Sequence, residues 1–82
     1  MIKVTVKLFA SFREITGLEH TAIEVAPGTT VAQLWDTFVR EHPRLMPLSR
    51  SAGMALNGRY AQANASLSEG DIVAFLPPVS GG

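Results

Sequence analysis

Val31, Leu34, Trp35, Phe38 and Val39 recur at i, i+3, i+4, i+7 and i+8, and they form the one clear helical stripe in the chain. Gln33, Asp36, Thr37, Arg40 and Glu41 fill the opposite face. This is the pattern of an amphipathic helix with one apolar side. Thr30 precedes it with Gln33 three residues on, the spacing of a capping box. His42-Pro43 closes it, because a residue before proline is pushed out of the helical region. One such helix cannot bury its stripe alone. It needs a sheet across that face, so the expected architecture is a two-layer α+β domain.

The strands are legible on either side. In "MIKVTVKLF", Ile2, Val4, Val6 and Leu8 point one way and Lys3, Thr5 and Lys7 the other, a period of two. "ASFREITG" holds room for a short helical turn ended by Gly17. Thr21, Ile23 and Val25 alternate with Ala22 and Glu24 as a second strand, which Pro27-Gly28 turns. Arg44 to Gly53 reads as irregular, with Leu45, Met46 and Leu48 tucked under the core. "MALNGRYAQ" is a short strand with a hairpin turn at Asn57-Gly58. Glu69-Gly70-Asp71 is a further turn, and "IVAFL" is the last strand, stopped by Pro77-Pro78. Its unbroken apolar run is that of a central strand covered on both faces.

The bulk properties remove several function classes. Eighty-two residues make one small domain spanning 1–82, and a chain of this size has little core to spare. Lys plus Arg number 7 and Asp plus Glu 7, which offers no electrostatic footprint for nucleic acid or for an anionic membrane. There is no cysteine, hence no disulfide, thiolate zinc site or cysteine nucleophile. That favours a cytoplasmic protein. The alternating start reads as a strand rather than a signal peptide, and no apolar run approaches the ~20 residues of a membrane span.

The side chains offer no active site. His20 and His42 lie far apart without carboxylates at ligand spacing, so both read as surface histidines and no metal is expected. Glu69 and Asp71 flank a glycine as turn residues do. No serine sits in a Gly-x-Ser-x-Gly elbow, and no phosphate-binding glycine loop is present. Trp35 belongs to the helix stripe and to the core.

What remains is the tail "FLPPVSGG". Pro77-Pro78 stiffens the exit from the last strand. Gly81 and Gly82 lack a Cβ and let another backbone approach closely. The stretch 77–82, expected to be flexible, reaches about 20 Å when extended, enough to carry a terminal carboxylate into a partner's pocket. Chain ends are disordered by default. Phe75, Leu76 and Val79 argue against that here, because a solvated tail gains nothing from apolar residues.

These residues together resemble the ubiquitin-like β-grasp sulfur carriers of the MoaD/ThiS family. "EGDIVAFLPPVSGG" (Glu69 to Gly82) is similar to the C-terminal signature of the MoaD-type small subunits of molybdopterin synthase. "IKV" and "FASFREITG" (within Ile2 to Gly17) are similar to that family's first strand and following segment, and "TTVAQL" (Thr29 to Leu34) to its helix start. Ser80 stands where the family often has threonine. The resemblance implies a mixed sheet of four to five strands with one main helix on one face. It implies that an E1-like adenylyltransferase uses ATP to adenylate the carboxylate of Gly82, and that sulfur from a sulfurtransferase then displaces AMP to leave a thiocarboxylate. A large catalytic subunit would receive the tail, and sulfur would pass to precursor Z (cyclic pyranopterin monophosphate) in molybdenum cofactor biosynthesis.

On this reading the chain is no enzyme by itself and binds no cofactor. Two small and two large subunits form a heterotetramer. Gly82 is the reacting residue, Gly81 gives access to its acyl carbon, and Phe75, Leu76, Pro77, Pro78, Val79 and Ser80 form the docking surface, joined by apolar sheet residues on a face that the sequence leaves open. Two alternatives stand beside it. One is a carrier for thiamin, cysteine or tRNA thiolation, or a protein modifier joined to lysines. The other is a β-grasp interaction module with no covalent chemistry.

Overall fold

The computed structural model describes residues 1–78. The elements run β1 (Ile2–Leu8), α1 (Ala10–Thr16), β2 (His20–Val25), α2 (Val31–Glu41), a 3₁₀ helix (Pro43–Ser51), β3 (Gly53–Leu56), β4 (Arg59–Tyr60) and β5 (Ile72–Leu76). The strands form one mixed sheet in the order β2-β1-β5-β3-β4. β1 is antiparallel to β2 and parallel to β5, and β3 is antiparallel to both β4 and β5.

α2 forms as its sequence dictates. The Thr30 hydroxyl accepts from the Gln33 N–H at 3.2 Å, and the Gln33 side chain accepts from the Thr30 N–H at 2.9 Å. Two of the orphan donors at the helix start are satisfied in this way. Val31, Leu34, Trp35 and Phe38 are buried, and Val39 packs on the edge of the core. The sheet meets this stripe with Val4, Val6, Leu8, Val25, Val73 and Phe75.

The centre of the core is aromatic. Trp35 and Phe75 meet edge to face with centroids 5.0 Å apart, Phe38 and Phe75 likewise at 5.7 Å, and Phe12 leans on Trp35 at 5.1 Å. Such tilted pairs contribute about 0.5–1.5 kcal/mol each beyond the area they bury. The Trp35 indole N–H donates to the Ser49 hydroxyl at 2.9 Å, so its one polar atom is satisfied by the 3₁₀ helix.

One local expectation is met and extended, and two need correction. "ASFREIT" is a complete two-turn helix, with Phe12 buried and Gly17 ending it in the left-handed region at φ 74°. Residues 43–51 are regular, but as 3₁₀ rather than α helix. Pro47, inside the segment, lacks the N–H that an α ladder would draw on, whereas Pro43 sits in the first turn where none is needed. Within that segment Leu45 is buried and Leu48 half-buried, but Met46 is 65% exposed. β5 is central, yet only one of its faces is covered: Val73 and Phe75 are buried, whereas Ile72 is 41% exposed and Ala74 and Leu76 are half-buried. α2 lies on one side of the sheet, and among the described residues no element crosses the other side.

Truncating Phe75 to Ala should therefore cost about 3–5 kcal/mol. Truncating Met46 to Ala should change stability by less than about 0.5 kcal/mol. Urea unfolding followed by Trp35 fluorescence measures both.

Candidate functional site

The arm expected from the sequence grows out of the middle of the sheet. Leu8 pairs with Phe75 on one side and Gly53 with Leu76 on the other, so Pro77 leaves the sheet between the end of β1 and the start of β3. Pro77 is half-buried and Pro78 exposed. Val79, Ser80, Gly81 and Gly82 lie outside the described residues.

Phe75 sits differently from the docking role assigned to it. It is 0% exposed, so its side chain has no surface to offer a partner. It anchors the strand from which the arm departs. Leu76, one residue on, points to the opposite face, because side chains alternate along a strand.

That opposite face can be mapped from the register. Ile72, Ala74 and Leu76 share it with their cross-strand partners Thr5, Lys7, Ala55 and Gly53, and Ala55 in turn stands opposite Tyr60. The result is a shallow apolar surface floored by small residues, with Tyr60, 86% exposed, standing on one side and the β1 lysines on the other. Gly53 does not owe its identity to backbone strain. A Cβ there would meet Leu76 at an ordinary 3.5 Å, so the position keeps the floor low beside the arm.

Sequence reading missed Ile72, Ala74, Ala55, Gly53 and Tyr60 as members of one surface. The signals were the small residues at alternate positions 53, 55 and 74 and the Asn57-Gly58 turn, which carries Tyr60 back across Ala55. Combining them requires the strand order, and local periodicity does not contain it.

The lower end of β5 is fastened by Asn57. Its backbone adopts φ 52°, and Gly58 follows at φ 85°, both in the left-handed region that a tight hairpin demands. The Asn57 N–H donates to the Ile72 carbonyl and its side-chain oxygen accepts the Ile72 N–H, each at 2.8 Å. A side chain thus extends the β3–β5 ladder by one rung. Asp71 supports it by accepting from the Asn57 amide at 2.9 Å and from the Ser68 N–H at 2.7 Å. Glu69 accepts from the Lys3 N–H at 3.0 Å. Glu69 and Asp71 therefore act as turn residues.

His20 is exposed and His42 half-buried at the C-cap of α2. Among the described residues no group of three His, Cys, Asp or Glu could hold a metal ion, and no helix is long and apolar enough to cross a membrane. The larger concavity, about 700 Å³, is an open groove between β2 and the polar side of α2, lined by Glu24, Gln33, Asp36 and Arg40 among others. It lies on the far side of the molecule from the arm.

Residues 6–82 match the model of the ThiS family. The chain belongs to that family. It is a ubiquitin-like carrier of the MoaD/ThiS type, as the resemblance of its two ends implied. It is 39% identical over its whole length to the molybdopterin synthase sulfur carrier subunit of Mycobacterium tuberculosis, whose full length is also covered. It is 32% identical over 93% of its length to small archaeal modifier protein 1 of Haloferax volcanii, covering 97% of that protein. Among solved structures, a putative molybdopterin converting factor subunit 1 from Pyrococcus furiosus superposes with a TM-score of 0.86 at 31% identity, covering 96% of this chain and all of that one. The complex of subunits 1 and 2 of the Helicobacter pylori molybdopterin-converting factor contains a chain with a TM-score of 0.68 at 27% identity, covering 99% of this chain and all of that one. A ubiquitin from Caldiarchaeum subterraneum, 19% identical, covers 99% of this chain and 98% of its own at a TM-score of 0.67 and shares the β-grasp fold.

Replacing Asn57 by Ala removes the partner of the Ile72 N–H and puts a β-carbon-bearing residue without a helpful side chain at positive φ. A loss of about 1–3 kcal/mol follows. Hydrogen exchange at the Ile72 amide should accelerate before that of amides in the β1–β2 ladder.

Proposed function

We propose that this chain is the sulfur carrier subunit of a molybdopterin synthase and that the carboxylate of Gly82 is its reacting group. The observation that carries the reading is spatial: the arm starts from the central strand, beside an apolar sheet face that the domain leaves open. A large catalytic subunit would seat on that face and receive the arm in its own pocket. The Mycobacterium tuberculosis relative bears the name of such a carrier, and the Helicobacter pylori neighbour is found in a complex of two subunits.

The chemistry needs little from the carrier's side chains. A carboxylate is a poor electrophile. Attack of its oxygen on the α-phosphorus of ATP, in the activating enzyme, expels pyrophosphate and leaves an acyl-adenylate. The terminal sulfur of a persulfide on a sulfurtransferase then attacks the acyl carbon and AMP departs, and a thiol cleaves the resulting acyl disulfide, becoming oxidised to a disulfide and releasing the thiocarboxylate. The large subunit uses that sulfur on precursor Z. Covalent catalysis divides a hard step into easier ones, with the terminus of the carrier as the covalent intermediate. Gly81 gives access to the acyl carbon, Leu76 to Ser80 guide the arm, and Phe75 keeps its root fixed.

A second reading is favoured by the relative from Haloferax volcanii, named as a modifier protein. The same activated terminus could be joined to lysine amines of other proteins. Isopeptide-linked conjugates in cells distinguish it.

Intact-mass spectrometry tests the first reading. After incubation with the activating enzyme, ATP and a sulfur source, the chain should gain the mass of one oxygen-to-sulfur exchange at Gly82. Adding one residue after Gly82 should abolish the gain and leave the circular dichroism spectrum unchanged. Ala74→Glu, on the open face, should preserve the mass gain and prevent co-elution with the large subunit. An unmodified terminus in the parent chain overturns the proposal.

A further inference from the structure

The two edges of the sheet are treated differently. β4 is two residues long and ends its side of the sheet within one turn. β2 is six residues long and, among the described residues, has no outer neighbour. Natural edges are blunted by proline, lysine, a bulge or short length, because unpaired N–H and C=O groups template further pairing. His20–Val25 contains neither proline nor lysine, and its register with β1 is unbroken over six pairs.

Backbone hydrogen bonding identifies the free groups. Leu8 N–H donates to the Glu19 carbonyl at 3.0 Å, which sets the phase of the β1–β2 ladder. Thr21, Ile23 and Val25, at two-residue steps from Glu19, therefore bond to β1. Thr5 N–H confirms the phase from the other side, donating to Asp71 beside β5 at 2.9 Å. His20, Ala22 and Glu24 turn their N–H and C=O groups outward, in a row centred on Ala22.

We propose that β2 pairs antiparallel with β2 of a second copy of this chain, about a two-fold axis at Ala22. The sequence of the edge is complementary to itself in that register. His20 faces Glu24 of the second copy, and Glu24 faces His20 of the second copy, so an imidazole N–H meets a carboxylate at both ends. Ala22, the smallest side chain of the strand, meets itself at the axis. Three residue pairs exchange both backbone hydrogen bonds, as the narrow pairs of an antiparallel ladder do. On the inner face, half-buried Ile23 stands beside Thr21 of the second copy, and the groove between β2 and the polar side of α2 leaves room for that strand's inward side chains. β5 lies two strands inboard, so both arms and both open faces stay accessible in the pair. The pairing stands on the edge geometry alone and is independent of the sulfur-carrier reading.

Sedimentation velocity on the full chain, from micromolar to millimolar concentration, tests this. A monomer–dimer equilibrium is expected. Ala22→Pro deletes an outward N–H and none that bonds to β1, a site where an edge strand accepts proline. It should weaken the dimer by about tenfold or more, the effect of losing about 1.4 kcal/mol. Glu24→Lys should weaken it too, and the double variant His20→Glu with Glu24→Lys should restore it. In the parent chain, amide exchange at His20, Ala22 and Glu24 should slow as concentration rises. A monomer at all concentrations overturns the proposal, as does a dimer indifferent to these variants or amides whose exchange ignores concentration.

Discussion

The edge-to-face contacts of Phe75 with Trp35 and Phe38 hold the two layers of this domain in register. Phe75 is a point where the central strand meets the helix stripe. Phe12 reaches Trp35 from α1, the 3₁₀ helix caps the indole through Ser49, and β1 and β3 flank the strand that carries the ring. A domain of this size has few residues with which to fix its interior. Aromatic rings fill that interior with large buried area and few rotatable bonds.

β5 divides its labour by face. Val73 and Phe75 tie the strand to the core, and Ile72, Ala74 and Leu76 present it to the outside. One five-residue strand thus supplies both the anchor and the surface, and the arm begins where the two meet. Among the described residues no cluster of side chains is arranged for acid–base or metal chemistry. The described part of the molecule roots the arm in its central strand.

The amphipathic helix, with its cap and its stop, was legible residue by residue, because caps and 3.6-residue spacing are local. The strands and the Asn57-Gly58 hairpin were legible for the same reason. The one-sided burial of β5 was not: an all-apolar pentapeptide reads alike whether one face or two are covered, and only its neighbours decide. Phe75 was read as part of the arm because it lies two residues before Pro77 in sequence, yet alternation places it on the opposite side from Leu76. Met46 was taken for core on hydrophobicity alone, yet it stands on the exposed side of the 3₁₀ segment. The stretch 79–82, which holds the proposed reacting residue, lies outside the described residues.

The position of β5 between a parallel and an antiparallel neighbour has a mechanical side. A pull on the tail is directed along the strand, so the hydrogen bonds to β1 and β3 are loaded together in shear. They cannot be opened one rung at a time, as a strand peeled from an edge would allow. The Phe75 ring adds a barb that must leave its socket before the strand can slide. A tail rooted in this way can be gripped and threaded by a partner while the domain behind it stays folded.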